Sequence, residues 1–226
     1  MNFIVKDLGI QDYIQTYNEM KIFTQTRNEN TLDEIWLVQH PSIYTLGQAG
    51  DKNHLLHENH NIPLVNIDRG GQITYHGLGQ VVVYTLLNLH RLKIYVRDLV
   101  NKLEESIIQT LAMYNIIGIR REKAPGIYVD IKNDFSGNIA NAKIAALGLK
   151  ISRGCSYHGL ALNVDMDLQP FENINPCGYA GLKTVDMKTA LPHTKFNYDE
   201  VKSRLINNLL VILKITNNVS QVLHRD

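Results

Sequence analysis

Apolar residues recur along this chain at two spacings, and the spacing changes from segment to segment. Between residues 10 and 28, Ile10, Tyr13, Ile14, Tyr17, Met20 and Phe23 fall three and four apart, which places them on one face of a helix. The same spacing over 96–114 (Val96, Leu99, Val100, Leu103, Ile107, Leu111) and 198–214 (Tyr198, Val201, Leu205, Leu209, Leu213) predicts two more helices, each with a stripe able to pack on a sheet. Between them lie β-rich runs: FIVKDL (3–8), EIWLVQ (34–39, stopped by Pro41), PLVNI (63–67) and QVVVYTLLNL (80–89). The last has no polar face, so it predicts a central strand covered on both sides. GIYVDI (126–131) and KIAALGLKIS (143–152) flank the polar KNDFSGNIANA (132–142), which predicts a long hairpin loop, and GLALNVDMDL (159–168) continues the sheet. Strands in runs, broken by a few helices, predict the α+β class: a mixed, mostly antiparallel sheet flanked by helices, in a single domain over 1–226.

Composition narrows the function. With 226 residues and 44% hydrophobic content the chain can bury a continuous core. Lys and Arg number 23 against 22 Asp and Glu, a net charge of +1, which argues against nucleic acid as a partner. Local basic stretches, IRREK (119–123) and the group Lys143, Lys150 and Arg153, either guide an acidic partner or form a solvated surface. No run reaches the eighteen or so apolar residues of a membrane span, and the first residues lack a charged segment followed by an apolar one, so a cytoplasmic protein, or the mature form of an organellar one, is expected. Cys155 and Cys177 stand in unlike contexts and give neither a disulfide framework nor a C-x-x-C metal pattern. His54, His57 and His60 in HLLHENH are three apart, but without a nearby cysteine or an H-E-x-x-H pattern they read as a polar turn, and no metal site is expected. The glycine signatures of Rossmann and P-loop nucleotide sites are absent as well.

Four glycine-marked stretches carry the candidate chemistry: 44–50, 68–80, 145–163 and 176–181. Glycine beside a strand either makes a tight turn or removes a side chain from the sheet wall so that a ligand can approach the backbone. His76 and His158 both sit in Tyr-His-Gly, as paired elements facing one site would, or by coincidence. Cys177, between Pro176 and Gly178, is held at a sharp bend. A cysteine attacks as its thiolate and needs an adjacent cation or base, for which the candidates are His76, His158 and Lys143. A lysine enclosed by apolar neighbours, as Ala142 and Ile144 would enclose Lys143, can take a proton near neutral pH, whereas one at a strand end simply snorkels to solvent.

RGGQITYHGLGQ, APGIYV, KIAALGLKISRGCSYHGLALNVDMDLQPF and INPCGYAGL together resemble the successive signatures of the lipoyl(octanoyl) transferases, over most of residues 34 to 185. The resemblance implies the fold of the biotin and lipoate protein ligases. It implies transfer of an octanoyl group from octanoyl-acyl carrier protein to a lysine of lipoyl domains, such as those of the 2-oxoacid dehydrogenases and the glycine cleavage H protein, with no cofactor. It places the acyl-thioester nucleophile on Cys177 and its activating lysine on Lys143. The acyl-binding loop falls on Arg69, Gly70, Gly71, Gln72, Ile73, Thr74, Tyr75 and His76, and further substrate contacts on Ala146, Leu147 and Gly148 and on His158, Gly159, Leu160 and Ala161. Two departures are visible: the family's more usual HGPGQ is HGLGQ here, with Leu78, and the hairpin before Lys143 is longer than the family's few residues.

Overall fold

A computed structural model describes residues 3–57, 61–132, 139–214 and 219–224, with the backbone alone at 132, 139, 177 and 219–224. The chain runs β1 (Phe3–Ile10), α1 (Tyr13–Thr26), β2 (Asp33–Gln39), β3 (Ile43–Leu46), β4 (Leu64–Asn66), β5 (Ile73–His76), β6 (Gln80–Leu86), α2 (Leu89–Leu92), α3 (Val96–Ala112), β7 (Ile119–Arg120), β8 (Gly126–Lys132), β9 (Ile139–Ser152), β10 (Cys155–Asn163), α4 (Gln169–Glu172), α5 (Met187–Ala190), α6 (Tyr198–Ile212) and β11 (Val219–His224). Eight strands form one sheet in the order β11-β1-β2-β6-β10-β9-β8-β7, and β4-β3-β5 form a small second sheet. In the large sheet β1 runs parallel to β2 and to β11, and every other pairing is antiparallel. The parallel pair β1–β2 requires a crossover, which α1 supplies.

The run without a polar face is the central strand it was expected to be: all seven residues of β6 are buried, between β2 and β10. Its side chains alternate. Val81 and Val83 join the core under α3 and α6, with Leu103, Ile107, Leu205 and Leu209, while Val82, Tyr84 and Leu86 face α1 through Met20 and Trp36. The small sheet has its own cluster, in which Tyr44, Ile73 and Tyr75 pack on Phe171 and Ile174.

Three boundaries differ from the sequence reading, each for a local reason. β6 ends at Leu86 rather than 89, because the Asn88 side chain accepts from Arg91 N at 3.0 Å and caps α2. Residues 139–142 belong to β9 and pair with β8, Asn141 donating across the ladder to Asp130 at 3.0 Å, so the long hairpin loop does not extend over them. The remainder of that loop, 133–138, lies outside the described residues, as does His60. Finally, β10 stops at Asn163, and the amides of Val164 and Asp165 turn onto the carbonyl of Gly79 at 3.1 and 3.2 Å.

Candidate active site

The two short stretches expected to contact substrate, 146–148 and 159–161, prove to be cross-strand partners. Gly148 stands opposite Gly159, Leu147 opposite Leu160 and Ala146 opposite Ala161 in the β9–β10 ladder. Two glycines facing each other leave a slot in the sheet surface, because neither contributes a side chain to the wall. Residues 69–74, leading into β5, roof the slot, and Tyr13, Val82 and Tyr84 complete a narrow cleft. All of the binding residues named from the sequence line it except Gly70, which lines the neighbouring groove, and Tyr75, which packs edge-on to Phe171 in the small-sheet core. Arg69 fastens the roof: its guanidinium donates to the carbonyl and hydroxyl of Thr45, both at 2.8 Å, and to Gly70 O at 3.0 Å. A Cβ on Gly148 would stand 2.9 Å from Arg69 Cδ, so glycine is what lets the arginine cross the slot.

The recurring Tyr-His-Gly has a structural counterpart. His76 and His158 both line the cleft, and each is stacked by a tyrosine from α1, Tyr13 on His76 with centroids 5.4 Å apart and Tyr17 on His158 at 5.5 Å. Those tyrosines lie one helical turn apart, which is why α1 serves both rings. His76 Nδ1 donates to Gln80 Oε1 at 2.7 Å, leaving Nε2 with its lone pair. Burial, reinforced by the charges nearby, lowers the His76 pKa to about 3. His40, behind it, donates from Nδ1 to Gln11 O and accepts at Nε2 from Tyr84 OH, both at 2.8 Å, and burial lowers it to about 4. His158 holds φ +60° within a strand, a conformation costing about 1–3 kcal/mol for a non-glycine residue. Its Nε2 donates to Asp68 Oδ1 at 3.2 Å, and burial keeps its pKa below the ordinary value although Asp68 opposes this. Burial resists the Asp68 charge in turn, but hydrogen bonds from His158, Tyr157 and Tyr17 outweigh it and hold the carboxyl well below its usual range. All three histidines are therefore neutral near pH 7, which leaves none of them as a cation to activate a thiol.

Lys143 is placed by an irregularity. Tyr128 pairs with Lys143, but the next residue back, Ile127, pairs with Ala145, so Ile144 is an extra residue that bulges β9. The lysine is 3% exposed, donates from Nζ to Pro125 O at 3.0 Å and lies over the Tyr128 ring, 5.4 Å from its centroid. Its own backbone is clamped by the chain after the cysteine, through Lys143 N to Lys183 O (2.8 Å) and Val185 N to Lys143 O (2.9 Å). A small, tight cavity is lined by Lys143 and by Pro176, the residue before Cys177. Thr74 and Ala146 line both this cavity and the cleft over the paired glycines.

Cys177 occupies a single 3-10 turn, Pro176–Gly178, closed by Gly178 N on Asn175 O (3.0 Å) and Tyr179 N on Pro176 O (3.2 Å). Gly178 has φ +78°, which supports the tight bend expected from its neighbours. The segment 52–56 packs against this turn: Asn175 N donates to His54 O at 2.8 Å, and the point where a Gly178 Cβ would sit is 3.3 Å from His54 Nε2. So His54, which the sequence offers only as part of a polar turn, is a neighbour of the cysteine. Among the described residues no three His, Cys, Asp or Glu side chains are grouped to hold a metal ion. Cys155, the other thiol, is buried in β10. Leu78 is 53% exposed at the second position of a turn closed by Gln80 N on Gly77 O, with Gly79 at φ +86°. That is the position proline favours in a type II turn, and leucine keeps the turn intact.

The basic residues are less uniform than the sequence implied. Arg120 is paired with Glu104 (3.2 Å) and Glu105 (2.7 Å), and Arg153 donates to the carbonyls of Thr24 and Gln25 at the end of α1. Lys143 is buried, and Lys150 reaches Gln48 at 3.2 Å. Lys123, its side chain 87% exposed, lines a groove that shares Gly71, Gln72, Leu147 and Gly148 with the cleft.

Residues 13–210 match the model of the lipoyl protein ligase A/B catalytic domain. A protein named octanoyltransferase from Polynucleobacter asymbioticus is 53% identical over 209 residues, covering 92% of this chain and 97% of that one. One of the same name from Paraburkholderia phymatum is 56% identical over 207 residues, covering 92% and 80%. Among solved structures, a bi-partite lipoate protein ligase from Thermoplasma acidophilum superposes with a TM-score of 0.71 at 13% identity, covering 95% of this chain and 84% of that one. The biotin protein ligase of Aquifex aeolicus gives a TM-score of 0.52 at 10% identity, covering 95% and 70%, and at such identities the likeness is one of fold. The paired-glycine slot, the bulged lysine strand and the cysteine turn thus lie within a matched catalytic domain, and the chain belongs to the lipoyl protein ligase A/B catalytic domain family.

Proposed function

We propose that the whole chain, 1–226, is one catalytic domain that transfers an octanoyl group in protein lipoylation, with Cys177 as nucleophile and Lys143 as its base. The donor in this reading is octanoyl-acyl carrier protein, and the acceptors are lysines of lipoyl domains of the 2-oxoacid dehydrogenases and the glycine cleavage H protein, in the cytoplasm. The observation that carries it is the shared cavity: Lys143 and the residue preceding Cys177 line one small space, which meets the acyl slot at Thr74 and Ala146. The octanoyl chain lies in the slot made by Gly148 and Gly159, with its carbonyl toward Cys177. Lys143 takes the thiol proton, the thiolate attacks the donor's carbonyl, and the donor thiol leaves with a proton from Lys143. The amide groups of Gly178 and Tyr179 are engaged in closing the turn and that of Gly70 is held by Leu149 O, so the oxyanion is received by the loop at Gly71 and Gln72. A lysine amine of the acceptor then attacks the thioester, forming the amide and returning the thiol. The acyl group arrives already activated, so the reaction needs no nucleotide. No helix among the described residues is long and apolar enough to cross a membrane, in keeping with a reaction between water-borne partners.

Incubation with octanoyl-acyl carrier protein, without ATP or acceptor, tests this. Intact mass should rise by one octanoyl group, removable by hydroxylamine, mapped to Cys177 and absent from buried Cys155. Addition of an apo lipoyl domain should move the group to its lysine. An unmodified protein that acts only with ATP and free octanoate would be a ligase of the same fold, and an adduct on Cys155 would overturn the assignment of the nucleophile.

A further inference from the structure

Glu104 is a buried carboxylate that the mechanism above does not use. It stands on α3 beside the apolar stripe, 6% exposed, in a core where a carboxylate is costly unless it is well partnered. Its two oxygens have distinct partners: Oε2 accepts from Arg120 Nε at 3.2 Å, and Oε1 accepts from Gly126 N at 3.1 Å. The amide of Gly126 belongs to the same peptide group as the carbonyl of Pro125, and that carbonyl accepts from Lys143 Nζ at 3.0 Å. One peptide plane therefore lies between a buried carboxylate and the lysine ammonium, its N–H aimed at one and its C=O at the other. Hydrogen bonds at the two ends of a peptide polarise it in the same sense and reinforce each other. The backbone is specialised to hold this plane. Gly126 has φ +132°, and a Cβ there would sit 2.5 Å from Lys143 Cε, so a side chain at 126 would displace the lysine itself.

We propose that Glu104 is the positioning residue for Lys143, acting through the Pro125–Gly126 peptide to fix the place of Nζ and to stabilise its protonated form once the Cys177 thiol has given up its proton. This rests on the dyad proposed above and adds a third member on a different element. Arg120 holds the carboxylate from the far side, so that it faces the peptide rather than rotating to solvent.

The test follows the rate of Cys177 alkylation by iodoacetamide against pH, together with steady-state turnover, in the full-length protein. Glu104→Gln keeps an oxygen for Gly126 N–H and removes the charge. It should leave the fold and the KM for octanoyl-acyl carrier protein unchanged, raise the midpoint of the alkylation profile by roughly one pH unit, and lower kcat by about tenfold. That is the scale of one charge acting across a peptide's width at an effective dielectric near 20. Glu104→Ala should show a larger loss, and if it fails to fold, Glu104→Gln alone decides. Lys143→Ala is measured beside them. If Lys143→Ala shifts the profile and Glu104→Gln leaves both midpoint and kcat at the wild-type values, Glu104 is only a structural tie between α3 and β8 and the inference fails. If Lys143→Ala itself leaves the profile unmoved, it is the dyad that fails.

Discussion

Lowering the pH should destabilise this protein well before its carboxylates titrate, because its buried histidines are held neutral. His40 and His76 are lowered to about 4 and about 3, chiefly by burial, whereas in the unfolded chain each returns to about 6.5. The unfolded state therefore binds protons that the native state refuses, and stability falls as pH drops through 6.5 toward the folded values. Between pH 7.5 and 5.0 the unfolded form of each histidine gains about 2 kcal/mol, so the pair lowers stability by about 4 kcal/mol, a large part of the 5–15 kcal/mol typical of a domain. At a urea m-value near 3 kcal/mol/M the unfolding midpoint should drop by more than 1 M over this interval. The assay is urea unfolding followed by circular dichroism at half-unit steps of pH, staying above 5 so that Asp68, which loses its contribution only near and below its unfolded value, plays no part. His76→Gln and His40→Gln should each remove about 2 kcal/mol of the pH dependence, whatever they do to stability at pH 7.5. A profile flat from 7.5 to 5.0, or one as steep in both variants as in the wild type, would refute the claim that these rings are enclosed and neutral.

Two further outcomes test the site's geometry. Gly148→Ala puts a Cβ 2.9 Å from Arg69 Cδ and 3.2 Å from Gly70 O, so the slot should narrow and turnover of octanoyl thioester should fall at least about tenfold, with hexanoyl and shorter chains affected less. An unaltered chain-length profile in a folded variant would place the acyl chain elsewhere. Lys123→Glu reverses an exposed charge on the groove beside the slot, so the KM for an acidic carrier should rise at low salt and converge with wild type as salt is added, while small thioesters are unaffected. Equal KM values at low salt would move the docking face away from the groove.

The fold was legible where burial was one-sided or complete. The stripes of α3 and α6 and the largely apolar, fully buried β6 carry their environment in their residue pattern, and each was placed within a few residues. What escaped was set by partners distant in sequence. β3 and β5 are four residues each and owe their strand character to the small sheet, where β3 pairs with both β4 and β5, and β7 is two residues long. Residues 139–142, Ile-Ala-Asn-Ala, read as loop because they continue the polar KNDFSGN before them, yet β8 supplies a ladder that extends through them, with Asn141 and Asp130 paired across it. The parallel relation of β1 to β2 needed only the observation that a helix stands between two strands, a signal present in the sequence but outweighed by the runs of strands after it.

For the site, glycine was the informative letter and tyrosine the misleading one. Two of the four glycine-marked stretches, 68–80 and 145–163, line the cleft because a missing side chain is what opens a sheet surface, although nothing local announced that Gly148 would face Gly159. Tyr13 and Tyr17 sat at helical spacing and counted as core, which they partly are, but their rings also stack on His76 and His158, and Tyr13 forms part of the cleft wall. Tyr84 was hidden in the same way inside an apolar strand, while Asp68, beside Arg69 in a quoted glycine stretch, was the one missed residue with a local signal. Glu104 carried the least legible information of all. In sequence it is one of two adjacent glutamates on a helix, Glu104 and Glu105, and both meet Arg120. Only the packing of α3 against β8 separates them, leaving Glu105 at the surface and turning Glu104 inward onto the amide of Gly126. A charge at the border of an apolar stripe ordinarily belongs to the solvated face, so the departure becomes visible only when its second oxygen is traced to a peptide whose carbonyl already holds Lys143.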